Sequence, residues 1–312
     1  MATCRFYSLA VAPALIVVSA CAVRTMPSAT TVAAEPLFAN ALADVARMQQ
    51  ATNEARFDAV TAMLAERNIA FEVEPFTIEP RKGEPRTSGR NVVVTIAGSV
   101  PEVVVGAHYD ASRLSDGTLS GGAVDNAASV VILVRLAETL SRARPKTQIR
   151  VVFFDMEELG LLGSAQFVQV HRERPMRAMV NLDVNASGDA LIFGPRAGAN
   201  DGALGALRAA CMGIAATCVE FPRMPPSDDV SFQQGGIPAV AIATVPAVQA
   251  HQLWLLMNGG KESGLQTGFI PQILRTIHTA ADTSSRVDRE AMVQAYRVAL
   301  TLITAMDRNR RP

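Results

Sequence analysis

Short β-branched runs alternate with helical patterns along most of this chain, and this alternation restricts the fold more than any other feature. Runs such as NVVVTIAG (91–98) and PEVVVGAH (101–108) are typical of buried strands. Strands of this kind that alternate with amphipathic helices predict an α/β fold: a mixed, mostly parallel central β-sheet sandwiched by helices. The other predicted strands are 70–78, 148–155, 178–184, 190–194 and 237–244, and the predicted helices are two within 37–68, then 125–142, 163–173, 202–213 and 287–306.

The composition is compatible with one large domain. The chain has 312 residues, 49% of them hydrophobic, with 29 basic and 29 acidic residues. That is enough apolar material for a sizeable core. Because no basic excess is present to neutralise phosphates, we expect no nucleic-acid partner.

The first residues have the plan of an export signal. Arg5 precedes an apolar stretch, and small residues follow it up to Cys21. The sequence VSAC resembles a bacterial lipoprotein box, which predicts a lipoprotein-type signal peptide over 1–21 and an N-terminal lipid on Cys21 that attaches the chain to a membrane. A plain signal cleaved nearby is the alternative. Residues 22–36 are typical of a flexible tether, and 37–312 is predicted to be a single domain.

These features predict an exported protein. We expect a cell-envelope lipoprotein that faces the periplasm or lies on the cell surface, or alternatively a secreted protein. In such an oxidising compartment Cys211 and Cys218 have the sequence proximity for one local disulfide. Two small buried thiols are an equally good interpretation. The sequence does not predict an oligomeric state.

Polar side chains follow three predicted strands, at the point where each strand ends. His108 and Asp110 come after VVVGA, and Asp183 follows MVNL. Ligands of open α/β sheets bind at the carboxyl ends of the strands, so these positions are candidates for chemistry. Three acids also follow the strand RVVFF: Asp155, Glu157 and Glu158.

The pair His108 and Asp110 permits two interpretations. Their side chains share one face of an extended segment, because alternate residues of a strand do so. A histidine that ligates a metal usually donates its other ring N–H to a carboxylate, and Asp110 is placed to accept it. A strand-end histidine beside a solvated acid is the simpler alternative.

Other candidate residues are equally ambiguous when taken one at a time. Asp125 follows two glycines near a predicted helix start, where it either caps the helix or bridges two cations. Glu157 and Glu158 either form a charged first turn or divide metal binding and proton transfer between them. His278 lies in a polar turn, where histidine is more often only exposed. Imidazoles and carboxylates without cysteine nevertheless match the ligands of catalytic zinc.

Taken in order, these residues resemble the motifs of the bacterial co-catalytic zinc aminopeptidases of peptidase clan MH. These are leucyl aminopeptidase-like metallopeptidases, with glutamate carboxypeptidases and glutaminyl cyclases as more distant relatives. The resemblance is carried by AHYDAS, GAVDNAAS, EELGLLGS, SDDVSFQQGGIPAVAI and IHTAADTSSRVD. It implies a zinc-exopeptidase fold of the phosphorylase/hydrolase-like type. It also implies metallo-aminopeptidase activity, the hydrolysis of the N-terminal peptide bond of peptide substrates.

The resemblance further implies roles for the matching residues. Asp125 bridges two Zn²⁺ ions per chain, although other divalent metals suit the same donors. Glu157 is the implied general base that takes a proton from a water activated by both ions, and Asp110 orients the ligand His108. The implied metal ligands are His108, Asp125 and Asp183 for one ion, and Asp125, Glu158 and His278 for the other.

The chain departs from the family pattern in places. Asp229 stands where the family often has a histidine, and Ile277 stands where a tyrosine commonly precedes the last ligand. The segment 245–270, which contains Trp254, is longer than the usual connection and is either a lid or pocket wall, or a packed helical insert. A glutaminyl cyclase and a non-catalytic envelope binding protein are the competing functions. The complete ligand set disfavours both.

Overall fold

The computed structural model describes residues 34–79, 87–195, 201–214, 217–260 and 270–308. The predicted signal peptide, with Cys21, lies outside the described residues. Within them, eight strands form one sheet. The strands are β1 (Glu72–Ile78), β2 (Thr87–Ile96), β3 (Ser99–His108), β4 (Thr147–Phe154), β5 (Met176–Asn185), β6 (Ala190–Gly194), β7 (Thr217–Glu220) and β8 (Ala239–Val245).

The sheet is mixed, with a parallel centre. Its strand order is β1-β2-β4-β3-β5-β8-β6-β7, and the four neighbours β4, β3, β5 and β8 are parallel. Antiparallel pairing occurs toward the edges, between β1 and β2, β2 and β4, and β6 and β8. This arrangement confirms the predicted mixed, mostly parallel sheet.

Helices cover both faces of the sheet. The buried apolar side chains form a larger cluster on one face of the sheet and a smaller one on the other. In β3, Val103 and Val105 belong to the larger cluster and Val104 to the smaller one. This division arises because side chains alternate between the two faces along a strand. The helices are α1 (Ala34–Leu37), α2 (Ala41–Met48), α3 (Asn53–Glu66), α4 (Ala128–Ala143), α5 (Leu162–Val170), α6 (Asp201–Gly213), α7 (Asp229–Gln234), α8 (Ala247–Asn258), α9 (Gln272–Thr276) and α10 (Arg289–Arg308). Helices α2, α3, α4, α6 and α10 contribute to the larger cluster, and α5 and α7 to the smaller one.

The packed region begins before the predicted boundary at Leu37. Helix α1 starts at Ala34, inside the segment assigned to the tether, and Ala34 and Phe38 are fully buried. Glu35 accepts a hydrogen bond of 2.6 Å from Arg297 of α10. Burial and this ion pair join residues 34–36, which the sequence predicted to be part of a tether, to the packed region.

The helix predicted over 125–142 starts later than expected. Helix α4 begins at Ala128, and an irregular turn, Ala123–Ala127, precedes it. Asp125 in this turn has φ −122° and ψ 87°, and its peptide bond to Asn126 is cis. The short elements β7, α7 and α9 were not predicted, because segments of this length have too few residues to establish a periodicity.

The structure also bears on the predicted disulfide and on membrane-spanning helices. Cys211 at the end of α6 and Cys218 in β7 form a disulfide, with their Cα atoms 6.2 Å apart. Of the two interpretations of these cysteines, the structure therefore has the disulfide and not two buried thiols. None of the helices in the described part of the chain combines the length and apolarity needed to cross a bilayer.

Candidate metal centre

The polar residues predicted at the strand ends meet at one edge of the sheet. His108 is the last residue of β3, Asp183 lies near the end of β5, and Glu157 and Glu158 follow β4. These three strands are parallel neighbours, so their carboxyl ends converge. Asp125 reaches the same edge from the turn before α4.

Two clusters of metal-type donor atoms share one carboxylate. Nε2 of His108 lies 3.1 Å from Oδ1 of Asp125 and 3.6 Å from Oδ1 of Asp183. Nε2 of His278 lies 3.1 Å from Oδ2 of Asp125 and 3.2 Å from Oε2 of Glu158. Within each cluster the donor atoms lie within 4.8 Å of one another. The two oxygens of Asp125 therefore face two different histidines.

Asp110 contacts both His108 and the turn that carries Glu157 and Glu158. Its Oδ1 lies 3.3 Å from Nδ1 of His108. Its two carboxylate oxygens also accept hydrogen bonds from the backbone N–H groups of Glu157, at 3.1 Å, and Glu158, at 3.2 Å. One buried side chain thus orients the histidine and holds the turn that carries the two glutamates.

The backbone around Asp125 is held by two residues to which the sequence motifs assigned no role. The carboxylate of Asp282 accepts hydrogen bonds from N–H of Val124 at 2.6 Å and N–H of Asp125 at 3.2 Å. The Asn126 side chain donates to the carbonyl of Leu182 at 3.0 Å. Both residues lie inside the quoted motifs, but a single sequence does not show that Asp282 bonds to this turn or that Asn126 ties the turn to β5.

The structure excludes two of the simpler interpretations left open by the sequence, a helix cap at Asp125 and a charged first turn at Glu157 and Glu158. Asp125 is not a helix cap, since neither the turn nor α4 has a side-chain capping bond. Glu157 and Glu158 precede α5, whose first turn contains no acid. His278 has a positive φ of 55° and remains half exposed, with its ring directed at Asp125 and Glu158.

The donor set fits divalent cations. Among the described residues, Oε1 of Glu158 and Oδ1 of Asp183 are buried and have no hydrogen-bond partner. Buried carboxylate oxygens are costly unless a donor or a cation compensates them. Zinc accepts imidazole nitrogen and carboxylate oxygen at about 2.0–2.2 Å, and each cluster offers three such donors. The residues present therefore suit one ion in each cluster, with Asp125 common to both.

The electrostatics of the centre are those of crowded acids beside histidines. Burial raises the pKa of Glu157 to about 9, although His108 acts in the opposite direction. Burial also opposes ionisation of Asp125, but hydrogen bonds from His108 and His278 lower its pKa below the usual value. Hydrogen bonds to Asp125 and Glu158 raise the pKa of His278 to about 10.

A cavity of about 280 Å³ opens directly beside the clusters. Its polar end is formed by Asp125, Glu157, Asp183 and His278, and its remaining wall is largely apolar. Ile277, which replaces the tyrosine common in the family, is part of that wall and supplies no hydroxyl group. The apolar side chains include Ile192, Met224, Val245, Leu253, Ile273 and Ile277.

The Ser227-Asp228-Asp229 segment lies behind this cavity. Ser227 lines it, and Asp228 and Asp229 are fully buried. Burial raises the pKa of each of the two aspartates to about 7. The substitution of Asp229 for the histidine of the family pattern thus adds a second buried acid to a centre that is already rich in carboxylates.

The 245–270 segment combines two of the predicted possibilities. It contains α8, whose Trp254 packs against the core and donates its indole N–H to the carbonyl of Glu220 at 3.1 Å. Leu253 of the same helix lines the cavity. The described part of the segment therefore contains a packed helix that forms a pocket wall, and residues 261–269 lie outside the described residues.

Comparison with known proteins assigns this centre to a family. The model of peptidase family M28 matches residues 91–303, which is more than half of the chain. The chain belongs to this family, which lies in the clan that the motifs resemble. Helices α1, α2 and α3 precede the matched segment.

Sequence relatives match shorter segments. A probable zinc metalloprotease of Pyrenophora tritici-repentis is 34% identical over 101 residues, which is 30% of this chain and 23% of that protein. Aminopeptidase YwaD of Bacillus subtilis is 34% identical over 90 residues, covering 28% of this chain and 19% of the relative. The chain thus spans about a fifth of the length of the curated relatives that it matches.

Solved structures share the fold over most of the chain. A zinc aminopeptidase from Bacillus subtilis superposes with a TM-score of 0.64 at 14% identity, covering 90% of this chain and 96% of the other. A glutaminyl cyclase from Bacteroides thetaiotaomicron gives a TM-score of 0.67 at 16% identity, covering 92% and 100%. At such identities the likeness establishes the fold alone.

Proposed function

We propose that this protein is a zinc-dependent aminopeptidase that hydrolyses the N-terminal peptide bond of peptides at a two-ion centre. The observation that supports this most directly is the shared carboxylate of Asp125, whose two oxygens belong to separate three-residue donor clusters. A centre for a single ion would require only one of these clusters. Family membership supports a peptidase, and the two clusters support a pair of ions.

The proposed chemistry divides between the ions and the chain. Zinc ions at this centre would polarise the scissile carbonyl and lower the pKa of a water molecule toward neutrality. Glu157 lines the cavity beside the ligands and accepts the proton of the attacking water, then returns it to the leaving amine. Asp110 holds Glu157 and Glu158 through their backbone N–H groups, so the base and the ligand keep separate directions.

The lining of the cavity favours peptides whose N-terminal residue has an apolar side chain. Its wall of aliphatic side chains begins next to Glu157 and His278, the place where the bond to be cleaved would lie. A charged terminal side chain would lose its hydration there without a described partner for its charge. We therefore expect terminal leucine, methionine and phenylalanine to be released faster than terminal lysine or aspartate.

Glu157→Gln tests the proposed base. The amide keeps the size of the side chain but removes its capacity to accept a proton, so turnover should fall about 10²- to 10⁴-fold. Zinc content, measured by mass spectrometry of the metal, should stay near the wild-type value. Glu173→Gln, the same exchange at an exposed residue, is the matched control. A wild-type protein that binds no zinc and releases no residue from a peptide library contradicts the proposal.

A glutaminyl cyclase is the second candidate, because solved cyclases superpose on nearly the whole chain. Cyclisation is an intramolecular attack and requires one ion rather than two. Incubation with a glutaminyl peptide distinguishes the two activities by mass, since cyclisation loses ammonia and hydrolysis releases glutamine. Cyclisation without hydrolysis, at one zinc per chain, favours the cyclase. A Glu157→Ala variant that keeps its full biological role would instead favour a non-catalytic binding protein.

We also propose that the chain is an exported lipoprotein attached to a membrane through Cys21. The support is the signal-like N-terminal sequence that ends in VSAC. Cys21→Ser should move the protein from the membrane fraction to the soluble fraction and abolish labelling by a fatty-acid analogue. Equal membrane association of both proteins would count against the lipid.

A further inference from the structure

Three polar side chains from the N-terminal helices contact the loops that carry the candidate ligands. Gln49 follows α2, and Asn53 and Arg56 lie in the first half of α3. All three precede residues 91–303, the segment that the family model matches. Their contacts connect a part of the chain outside that segment to the centre inside it.

Arg56 is the central residue of this group. It is fully buried, and among the described residues its guanidinium donates only to backbone carbonyls. Nε donates to Tyr109 at 2.6 Å, between His108 and Asp110 in the chain. The other two nitrogens donate to Gly121 at 3.2 Å and Gly122 at 3.1 Å, in the loop that leads to Asp125.

A further bond of Arg56 connects its own helix pair, since Nη1 donates to the carbonyl of Met48 at 2.7 Å. Gly122 permits the close approach of the guanidinium to this loop. Gly122 has a positive φ of 55°, and a Cβ atom there would lie 2.9 Å from the guanidinium of Arg56. The loop that leads to Asp125 is thus shaped to receive this side chain.

The two neighbouring side chains extend the same contact surface. Oδ1 of Asn53 accepts from N–H of Ala111 at 2.9 Å, just after Asp110. Oε1 of Gln49 accepts from N–H of Ser284 at 3.0 Å, close to Asp282. The helices therefore hold the chain on both sides of Asp110, the loop before Asp125 and the segment after His278.

We propose that Arg56 is a positioning residue of the metal centre, which keeps the His108 and Asp125 loops at the separation that two ions require. The inference rests on the proposed zinc function. Lysine cannot replace arginine here, because an ammonium group has three donors at one point whereas the guanidinium spreads five over a rigid plane. Loss of the guanidinium leaves the carbonyls of both loops without their common donor.

Arg56→Lys tests the inference by metal binding, independently of turnover. Zn²⁺ affinity is measured by competition with a chromophoric chelator, and Co²⁺ spectra report ligand geometry. We expect zinc affinity to fall about 10- to 100-fold, the usual effect of losing a group that orients ligands. The Co²⁺ absorption should also change. Arg135→Lys is the matched control. Arg135 is another buried arginine, and in the described part of the chain it pairs with Asp44 of α2 and with no candidate ligand.

The controls make the outcome decisive. A folded Arg56→Lys variant with wild-type zinc affinity and Co²⁺ spectrum overturns the inference, as does an equal loss in Arg135→Lys. Should Arg56→Lys fail to fold, Asn53→Ala and Gln49→Ala decide. Each of these two substitutions should weaken zinc binding, whereas Asn40→Ala, at the start of α2, should not. Wild-type zinc affinity in both Asn53→Ala and Gln49→Ala overturns the inference. A wild-type protein that binds neither metal overturns the proposed function, and the inference with it.

Discussion

At the scale of single residues, the geometry of Asp125 is the most informative feature of this protein. One carboxylate contacts two histidines that are 170 positions apart in the chain, His108 and His278, each through a different oxygen. Neither contact is local, and the turn that holds Asp125 is itself held by Asp282. This geometry supports the proposed role of Asp125 as a carboxylate shared by two ions, and it does not fit a helix cap.

Asp110 provides the first residue-scale prediction. Asp110→Asn replaces one carboxylate oxygen with an NH₂ group. Whichever oxygen is replaced, the NH₂ group then faces a donor, either the ring N–H of His108 or a backbone N–H, and that donor loses its acceptor. We expect zinc affinity to fall about 10- to 100-fold, with a parallel loss of activity at limiting zinc. Metal titration checks this. Asp116→Asn, an exposed residue that bonds only within its own turn, is the control, and equal behaviour of the two variants would contradict the role of Asp110.

At the scale of elements, α8 determines part of the cavity. Leu253 lines the cavity, whereas Leu255 on the same helix is 42% exposed and points elsewhere. Trp254 between them packs against the core, which fixes the rotation of the helix. The shape of the cavity thus depends on how this one helix packs against the core.

Leu253→Trp tests this arrangement. The larger side chain should occupy cavity space, so kcat/KM for leucyl and phenylalanyl peptides should fall about tenfold or more, while alanyl peptides lose less. Leu255→Trp introduces the same bulk outside the cavity and should leave the ratio unchanged. The ratio of kcat/KM values for the two substrate types is the measurement. A parallel change in both variants would show that the cavity does not hold the terminal side chain.

At the scale of the whole molecule, folding gathers acids from distant segments into one buried region. Glu157, Asp228 and Asp229 all have raised pKa values there, and the cause named first for each is burial. A cation that binds only the folded chain offsets this cost and stabilises the fold by mass action. The centre should therefore influence global stability as well as activity.

Removal of metal tests this expectation. With free zinc at about 100 times its dissociation constant, each independent site adds about 2.7 kcal/mol to the free energy of unfolding. Chelation should lower Tm by several degrees, and added zinc should restore it; calorimetry provides the measurement. In Asp125→Asn the zinc-dependent part of Tm should disappear. A Tm that does not respond to chelation in the wild-type protein would argue against an ion at this centre.

Much of the architecture could be predicted because its causes are local. The β-branched runs around Val104 and Val151 predict strands, and amphipathic periodicity predicts α10. The start of α4 could not be predicted, because the turn before it is held by distant residues. The carboxylate of Asp282 accepts a hydrogen bond from Val124, and the Asn126 side chain within the turn donates to Leu182 of β5. Short elements such as α7 depend on tertiary packing instead of a repeating pattern.

The candidate site shows the same division. The motifs contain every predicted ligand, and the structure brings all five ligands together with Glu157 and Asp110. The contacts of Arg56 and Asp282 were not predictable, because each acts on backbone groups far away in the chain. Backbone donors and acceptors have no side-chain identity and leave no motif to recognise.

The sequence by itself determined the α/β class and the chemical nature of the donors, because hydrophobic periodicity and residue type are properties of the chain alone. Only the tertiary structure decided that Asp125 faces two histidines, that α8 forms a cavity wall and that Arg56 holds the ligand loops together. These features depend on distances between segments that are remote in sequence, and packing of the whole molecule sets those distances.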